Sequence, residues 1–299
     1  MAASDRRDPA VSIVMVTHGR WDWALRALAA LRTRRPRASE VLVVDSASPD
    51  DTADRVAAAA PWARLLRLEE NVGFGGAMNL GAAEARAPLL CVMNSDAVVR
   101  PGWWPAMRRR LDDPGVGAVV PLFVDEDGLV REAGSVVGSD GVTVAWGRGL
   151  RADDPAVAYP RDVDYGSAAC LLVRADAFRS VGGFDPAYGV GFYEDVELCL
   201  DLRERGLRTV YEPRAVVVHP VGRSFGAARA AAQSATNREV FLGRRGDRVA
   251  DRPALGDPDV PASDLLRARD ALATHRLLLV ARGGLDPAVA YVARRAAAG

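Results

Sequence analysis

The strongest constraint on this fold is a regular alternation, over the first 121 residues, between apolar runs of strand length and stretches of helical period. Residues 11–16 and 41–44 are near-continuous runs of Val, Ile, Leu and Met. Such runs mark strands buried on both faces. Between them, residues 22–34 place Leu25, Leu28 and Leu31 on the inner side of a helix. The pattern continues with a helix over 51–60, a short strand over 65–68 and a helix over 76–85. A strand over 89–93, a helix over 101–111 and a strand over 116–121 complete it. This alternation predicts an α/β fold with a mostly parallel sheet flanked by helices on both faces. Sheets of this kind bind ligands beyond the carboxyl ends of their strands. Asp45 directly follows the run at 41–44, and Asn94-Ser95-Asp96 follows the run at 89–93.

From 122 to 165 the regularity lapses. Gly, Asp and short alternating pieces such as Val142-Thr143-Val144-Ala145-Trp146 predict a hairpin or an irregular insertion. Residues 165–174 and 216–218 read as strands again. After Phe225 the chain turns Ala- and Arg-rich and helical, broken over 251–259 by Asp-Arg-Pro and Gly-Asp-Pro-Asp. The expected organisation is a main domain over 1–225, divided near 121, followed by a helical C-terminal extension over 226–299. A solvated or packing role is the default for that extension, with residues 265–280 the stretch suited to a partner subunit or a membrane surface.

Residues 182–206 carry the densest chemistry. A Gly-rich loop leads into Glu194 and Asp195, placed at the first turn of a helix on whose apolar stripe lie Val196, Leu198, Cys199 and Leu202. Glu197, Asp201, Glu204 and Arg205 are assigned to its other face, with Asp201 and Arg205 spaced for an i,i+4 pair, and Gly206 is a stop signal. Carboxylates at a helix N-terminus are held by the dipole and free N–H groups. An acidic first turn is by itself common. Asp45, Asp96 and His219, the last directly after the strand at 215–218, add carboxylates and an imidazole that suit a divalent metal if they share one cleft. Singly each has a plain reading; Asp45, for instance, can close a turn through Ser46 and Ser48. The glycines of residues 71–81 precede a helix and suit close approach of an anion. They are neither a Walker loop nor a dinucleotide fingerprint.

Charge adds an exclusion. Lys plus Arg and Asp plus Glu number 39 each, so no global field favours nucleic acid. Cys91, Cys170 and Cys199 lie far apart in apolar runs, as expected of buried free thiols in a reducing compartment. The N-terminus has no apolar signal region and no apolar run nears the ~20 residues of a membrane span. A cytoplasmic protein is expected, with contact at the inner membrane surface and a homodimer left open.

Taken in order, these stretches resemble family 2 glycosyltransferases of the GT-A fold, especially the rhamnosyltransferase-like group. The carriers are residues 11–20, Val43-Val44-Asp45-Ser46 with Ser48 to Asp50, residues 71–81, Met93-Asn94-Ser95-Asp96 and residues 170–174. Gly182-Gly183-Phe184-Asp185, Tyr193-Glu194-Asp195 and His219 with Gly222 and Ser224 complete the set. The resemblance implies a nucleotide-sugar half over about 1–121 and an acceptor half over about 122–225. It implies that Thr17 and Asp45 hold the nucleotide, that Asn71, Gly73, Asn79 and Asn94 line the donor site, and that Asp96 and His219 bind Mg²⁺ or Mn²⁺. Asp195, with Glu194 beside it, stands as the catalytic base. Arg174 and Asp185 look structural or acceptor-facing.

The sequence departs from the family pattern in two places. Asn94-Ser95-Asp96 keeps only the last acid of an Asp-x-Asp motif, and Ala168-Ala169 replaces Gly-Ala, which adds a methyl beside the sugar pocket. The implied reaction is inverting transfer of a sugar from dTDP-L-rhamnose or a UDP-sugar to the hydroxyl of a saccharide, a lipid-linked sugar or a small molecule. The alternatives are a sugar-1-phosphate nucleotidyltransferase and a non-catalytic carbohydrate- or nucleotide-binding protein of the same fold.

Overall fold

In the computed structural model, residues 9–220 and 227–256 are described. The first half is the predicted alternation: β1 (Val11–Thr17), α1 (Trp21–Arg34), β2 (Ser39–Asp45), α2 (Thr52–Ala59), β3 (Arg64–Arg67), α3 (Gly73–Ala83) and β4 (Leu89–Asn94). A short β5 (Val98–Val99), α4 (Trp103–Arg110) and β6 (Val116–Val124) follow. The insertion holds β7 (Val130–Glu132), β8 (Ser135–Val137), β9 (Thr143–Ala145) and β10 (Arg161–Val163). The second half closes with β11 (Cys170–Arg174), α5 (Ala175–Ser180), α6 (Glu194–Glu204), β12 (Arg208–Val218) and α7 (Ala227–Arg245).

The main sheet runs β10-β12-β6-β11-β4-β1-β2-β3. Strands β4, β1, β2 and β3 are parallel, and their side chains are the core: Ile13, Val14, Leu42, Val43, Cys91 and Val92 are fully buried. β11 enters between β4 and β6 antiparallel to both, while β12 runs parallel to β6. β7 extends β6, β10 extends β12, and β8–β9 form a separate hairpin.

Besides β11, which starts at Cys170 rather than at 165, three features differ from the sequence reading. β12 spans Arg208–Val218 rather than 216–218, because Glu212-Pro213-Arg214 forms a bulge against β6 that interrupts the apolar pattern without ending the strand. Helix α3 begins at Gly73 rather than 76. Its glycines serve packing: Gly73, at φ 75°, lies against the backbone of Gly189, and a Cβ at Gly81 would collide with Val14 and Val44. A glycine-rich helix start here therefore allows close contact of α3 with sheet and loop. Third, the polar face of α6 is covered at Glu197 and Asp201, while Glu204 and Arg205 stay exposed. Glu197 is buried and meets Arg244 and Arg245. Asp201 pairs with Arg248, and Arg205 donates to the Asp201 carbonyl instead of its carboxylate.

The Cys residues are buried free thiols as expected. The expectations for residues 265–280 and for Gly222 and Ser224 lie outside the described residues. Among the described residues, no helix is long and apolar enough to cross a membrane.

Candidate active site

The parallel register brings the strand ends together. Thr17 pairs with Asp45 across β1–β2, and Val16 with Asn94 across β1–β4, so Thr17, Asp45 and Asn94 share the carboxyl edge. The Asp45 carboxylate accepts from the Ser48 amide at 3.1 Å and from the Ser48 hydroxyl. Ser48 Oγ accepts in turn from the Gly19 amide at 2.7 Å. The turn-closing role open to Asp45 is thus realised, and it fixes the carboxylate at the edge. The Asn71 side-chain oxygen accepts from Ser46 Oγ at 3.2 Å and from the Gly73 amide at 2.9 Å, tying β2 to the start of α3. Asn79 uses both ends of its amide on Phe184: Nδ2 donates to the carbonyl at 2.7 Å and Oδ1 accepts from the amide at 2.9 Å. Asn71, Gly73 and Asn79 therefore join α3 to β2 and to the loop that leads into α6.

Asp96 and His219 meet because of strand pairing. β5 runs antiparallel to the end of β12, with Val98 opposite Val218. Asp96, two residues before Val98, thereby faces His219, one residue after Val218. His219 Nε2 lies 3.2 Å from Asp96 Oδ1, with both side chains largely buried. The His219 amide donates to the Val124 carbonyl at 2.9 Å, and its ring packs on Phe123 at 5.8 Å between centroids.

Asp195 sits at the first turn of α6. Its Oδ2 accepts from the Ala168 amide at 3.1 Å and its Oδ1 from the Val196 amide at 2.9 Å. Ala168 and Ala169 are themselves buried. Burial raises the Asp195 carboxyl to about 6 against the pull of those two amides. Burial first, and then the charge of Asp195, push Glu194 up to about 8. Glu194 Oε2 is buried with no hydrogen-bond partner among the described residues. Repulsion within the pair thus falls on Glu194: Asp195 ionises first and the proton stays on its neighbour.

The sequence reading missed Glu132. It stands opposite Phe123 in the β6–β7 pairing and accepts from the Ser167 amide at 3.1 Å. Burial lifts its carboxyl to about 7, with Asp195 raising it further and His219 lowering it. Tyr165, buried beside Glu132 and Asp195, is held un-ionised by burial and by both carboxylates. Glu132 thus feels the charges of both Asp195 and His219, and links the Glu194–Asp195 pair to the Asp96–His219 pair in one acidic cluster. Nothing in the local sequence around Glu132 signals this; it follows from how β7 folds back on β6.

A stability test follows from Glu194. A carboxyl raised on folding contributes stability that is full below its unfolded value of 4.5 and is lost as pH rises through about 8. Wild-type protein should therefore lose more stability between pH 5 and pH 9 than Glu194→Gln. The excess should be at least ~1 kcal/mol, or roughly 2–4 °C in melting temperature for a chain of this size. Urea unfolding at the two pH values measures it, and equal losses would remove Glu194 as a buried acid.

Over residues 12–182 the chain matches the family described as Glycosyl transferase family 2. It is 31% identical over 292 residues to an N-acetylglucosaminyl-diphospho-decaprenol L-rhamnosyltransferase of Mycobacterium tuberculosis, covering 89% of this chain and 92% of that one. A pre-mycofactocin glycosyltransferase of the same species is 33% identical over 185 residues, 61% of this chain and 38% of that one. Among solved structures, GalNAc-T7 with UDP, GalNAc and Mn²⁺ shares the fold at a TM-score of 0.64 and 16% identity, over 89% of this chain and 55% of that one. The mannosyltransferase PcManGT from Pyrobaculum calidifontis, with GDP-Man and Mn²⁺, matches at a TM-score of 0.58 and 21% identity, over 98% and 81%. The sheet and its flanking helices are those of the GT-A fold. By its family match and its near full-length relative, this chain belongs to glycosyl transferase family 2 and is a rhamnosyltransferase-like glycosyltransferase.

Proposed function

We propose that the chain transfers a sugar, with inversion, from a nucleoside-diphosphate sugar to the hydroxyl of a lipid-linked saccharide, with Asp195 as base. The observation that carries this reading is the placement of Asp195. It is half-buried, oriented by the Ala168 and Val196 amides, and linked to the Asp96–His219 pair through Glu132, which feels the charges of both Asp195 and His219. The acceptor O–H proton passes to the Asp195 carboxylate as the acceptor oxygen bonds to the anomeric carbon. The bond from that carbon to the diphosphate breaks, and the nucleoside diphosphate leaves with the electron pair. Ionised Asp195 beside protonated Glu194 is the arrangement that lets one carboxylate accept a proton near neutrality.

Thr17, Asp45 and Asn94, on the donor half of the edge, take the nucleotide. dTDP-L-rhamnose is the first choice of donor, from the sequence likeness to a rhamnosyltransferase over most of both chains, and UDP-sugars come next. That relative is named for an N-acetylglucosaminyl-diphospho-decaprenol acceptor, so a lipid-linked acceptor reached at the inner membrane surface is the matching expectation here.

A divalent cation fits the Asp96–His219 pair. A carboxylate oxygen and an imidazole nitrogen converge there to 3.2 Å with both side chains largely shielded from water, a donor set compatible with Mg²⁺ or Mn²⁺. Among the described residues no cluster of three such ligands is present, so diphosphate oxygens would complete the shell. When bound, the ion neutralises charge on the leaving diphosphate as a Lewis acid.

The experiment is nucleoside-diphosphate release from a panel of dTDP-, UDP- and GDP-sugars with Mn²⁺, Mg²⁺ or EDTA. Turnover of dTDP-L-rhamnose or a UDP-sugar, suppressed by EDTA, is expected. Release from GDP-sugars alone would overturn the donor assignment, and full release in EDTA would overturn the metal role.

A further inference from the structure

Helix α7 lies beyond every motif that the family resemblance uses, yet one of its faces grips the loop that leads into Glu194 and Asp195. Asn237 is buried, and its Nδ2 lies 2.8 Å from the Tyr188 carbonyl, 2.8 Å from that of Gly191 and 3.0 Å from that of Phe192. Its Oδ1 accepts from Gln233 Nε2 at 3.1 Å, which fixes the amide with its nitrogen toward the loop. One turn on, Phe241 is fully buried against the Tyr193 ring at 5.5 Å between centroids. Arg244 and Arg245 then meet Glu197 on α6, and Arg244 also meets Asp185.

The gripped loop is in a conformation it would not hold alone. Phe192 and Tyr193, the two residues before Glu194, have φ of 76° and 75°. Consecutive non-glycine residues in that region persist only where their surroundings over-determine them. The two N–H groups of one amide, shared among three carbonyls, are part of that determination, together with the Gly191 amide, which donates to the Tyr188 carbonyl at 3.4 Å. Tyr193 adds a second anchor by donating to the Gly141 carbonyl at 2.7 Å.

We infer that Asn237 is a positioning residue for the transfer reaction: by holding the carbonyls of Tyr188, Gly191 and Phe192 it sets the backbone turn that aims Asp195 at the acceptor. The inference rests on the reading of Asp195 as base. It assigns α7 a part in the chemistry although no atom of α7 needs to touch substrate. A misplacement of about 1 Å at a reacting group costs up to ~10²-fold in rate, and that is the scale expected from releasing this loop.

The test compares full-length wild type, Asn237→Ala, Asn237→Ser and Asp195→Asn. Three readouts are used: release of dTDP from dTDP-L-rhamnose (or of UDP, if the donor screen selects a UDP-sugar), calorimetric binding of that nucleoside diphosphate, and deuterium exchange of residues 186–196. Asn237→Ala should lose ~10–100-fold in kcat, with donor KM and nucleotide affinity within about twofold, because β1, β2 and β4 are not contacted by Asn237. Exchange should quicken over 186–196 and stay unchanged in those three strands. Asn237→Ser, which keeps one donor in less volume, should fall between the two and keeps the test alive if the alanine variant fails to fold. Wild-type kcat in both Asn237 variants, with Asp195→Asn inactive, overturns the positioning role alone. Wild-type exchange over 186–196 in Asn237→Ala overturns the grip itself, whatever the chemistry. Full turnover in Asp195→Asn overturns the reading of the base on which the inference stands.

Discussion

An Asp195→Asn variant should lose about 10²–10⁴-fold in turnover, the range in which a positioned general base contributes. The substitution is nearly isosteric. Its side-chain oxygen can still accept from the Ala168 amide, which now holds Oδ2 at 3.1 Å, so the fold and the start of α6 should survive. What disappears is the site for the acceptor's proton. Nucleotide affinity should hold within about twofold, since Thr17 and Asp45 lie on other strands; a twofold change is only ~0.4 kcal/mol. The pH dependence supplies an internal check. Wild-type kcat/KM should rise as pH rises through about 6, where Asp195 loses its proton, and fall again through about 8, where Glu194 loses its own. The variant should lack the lower limb. Steady-state nucleoside-diphosphate release between pH 5 and 9 measures both, and an Asp195→Asn enzyme with the wild-type profile would remove Asp195 from the chemistry.

The second large effect is expected at the Asp96–His219 pair. Asp96→Ala and His219→Ala should each lower turnover by ~10²-fold or more, as several kcal/mol of charge stabilisation on the leaving diphosphate is withdrawn. The two groups reach each other only because β5 and the end of β12 pair antiparallel, so removing either leaves a single protein donor. Stimulation by Mn²⁺ should vanish with turnover, and nucleoside-diphosphate binding should become insensitive to EDTA. The plain alternative is an ion pair that merely ties β12 to the β4–β5 turn. An ion pair predicts loss of thermal stability with metal stimulation intact. Titration of turnover with Mn²⁺ in each variant separates the two, and retained stimulation in His219→Ala would reject the metal assignment.

The parallel half of the sheet was legible because its strands are buried on both faces, which writes them into the sequence as unbroken apolar runs. Asp45, Asn94 and Asp96 were then placed by topology alone. β12 was not legible over most of its length, because a bulge at Glu212-Pro213-Arg214 breaks the pattern that marks a strand. The glycines of α3 were legible as a constraint on close approach, but sequence does not say what approaches; the neighbours are Gly189, Phe184 and two valines of the sheet.

The helix that opens on Glu194 and Asp195 was readable from its period, whereas the fate of its polar face was not. Glu197 and Asp201 look like solvated residues until Arg245 at the end of α7 and Arg248 in the turn after it meet them. Glu132 and Asn237 carry no local signature. Each is placed by a distant part of the chain, Glu132 by the Ser167 amide and Asn237 by the loop before α6.

The central claim is a single displacement with one carboxylate acting as base. The most direct measurement is the anomeric configuration of the product, read by proton NMR after transfer from dTDP-L-rhamnose to a synthetic lipid-linked N-acetylglucosamine. Inversion relative to the donor is the predicted result. Retention would require either a second displacement or attack from the leaving-group face, and would contradict the role given to Asp195.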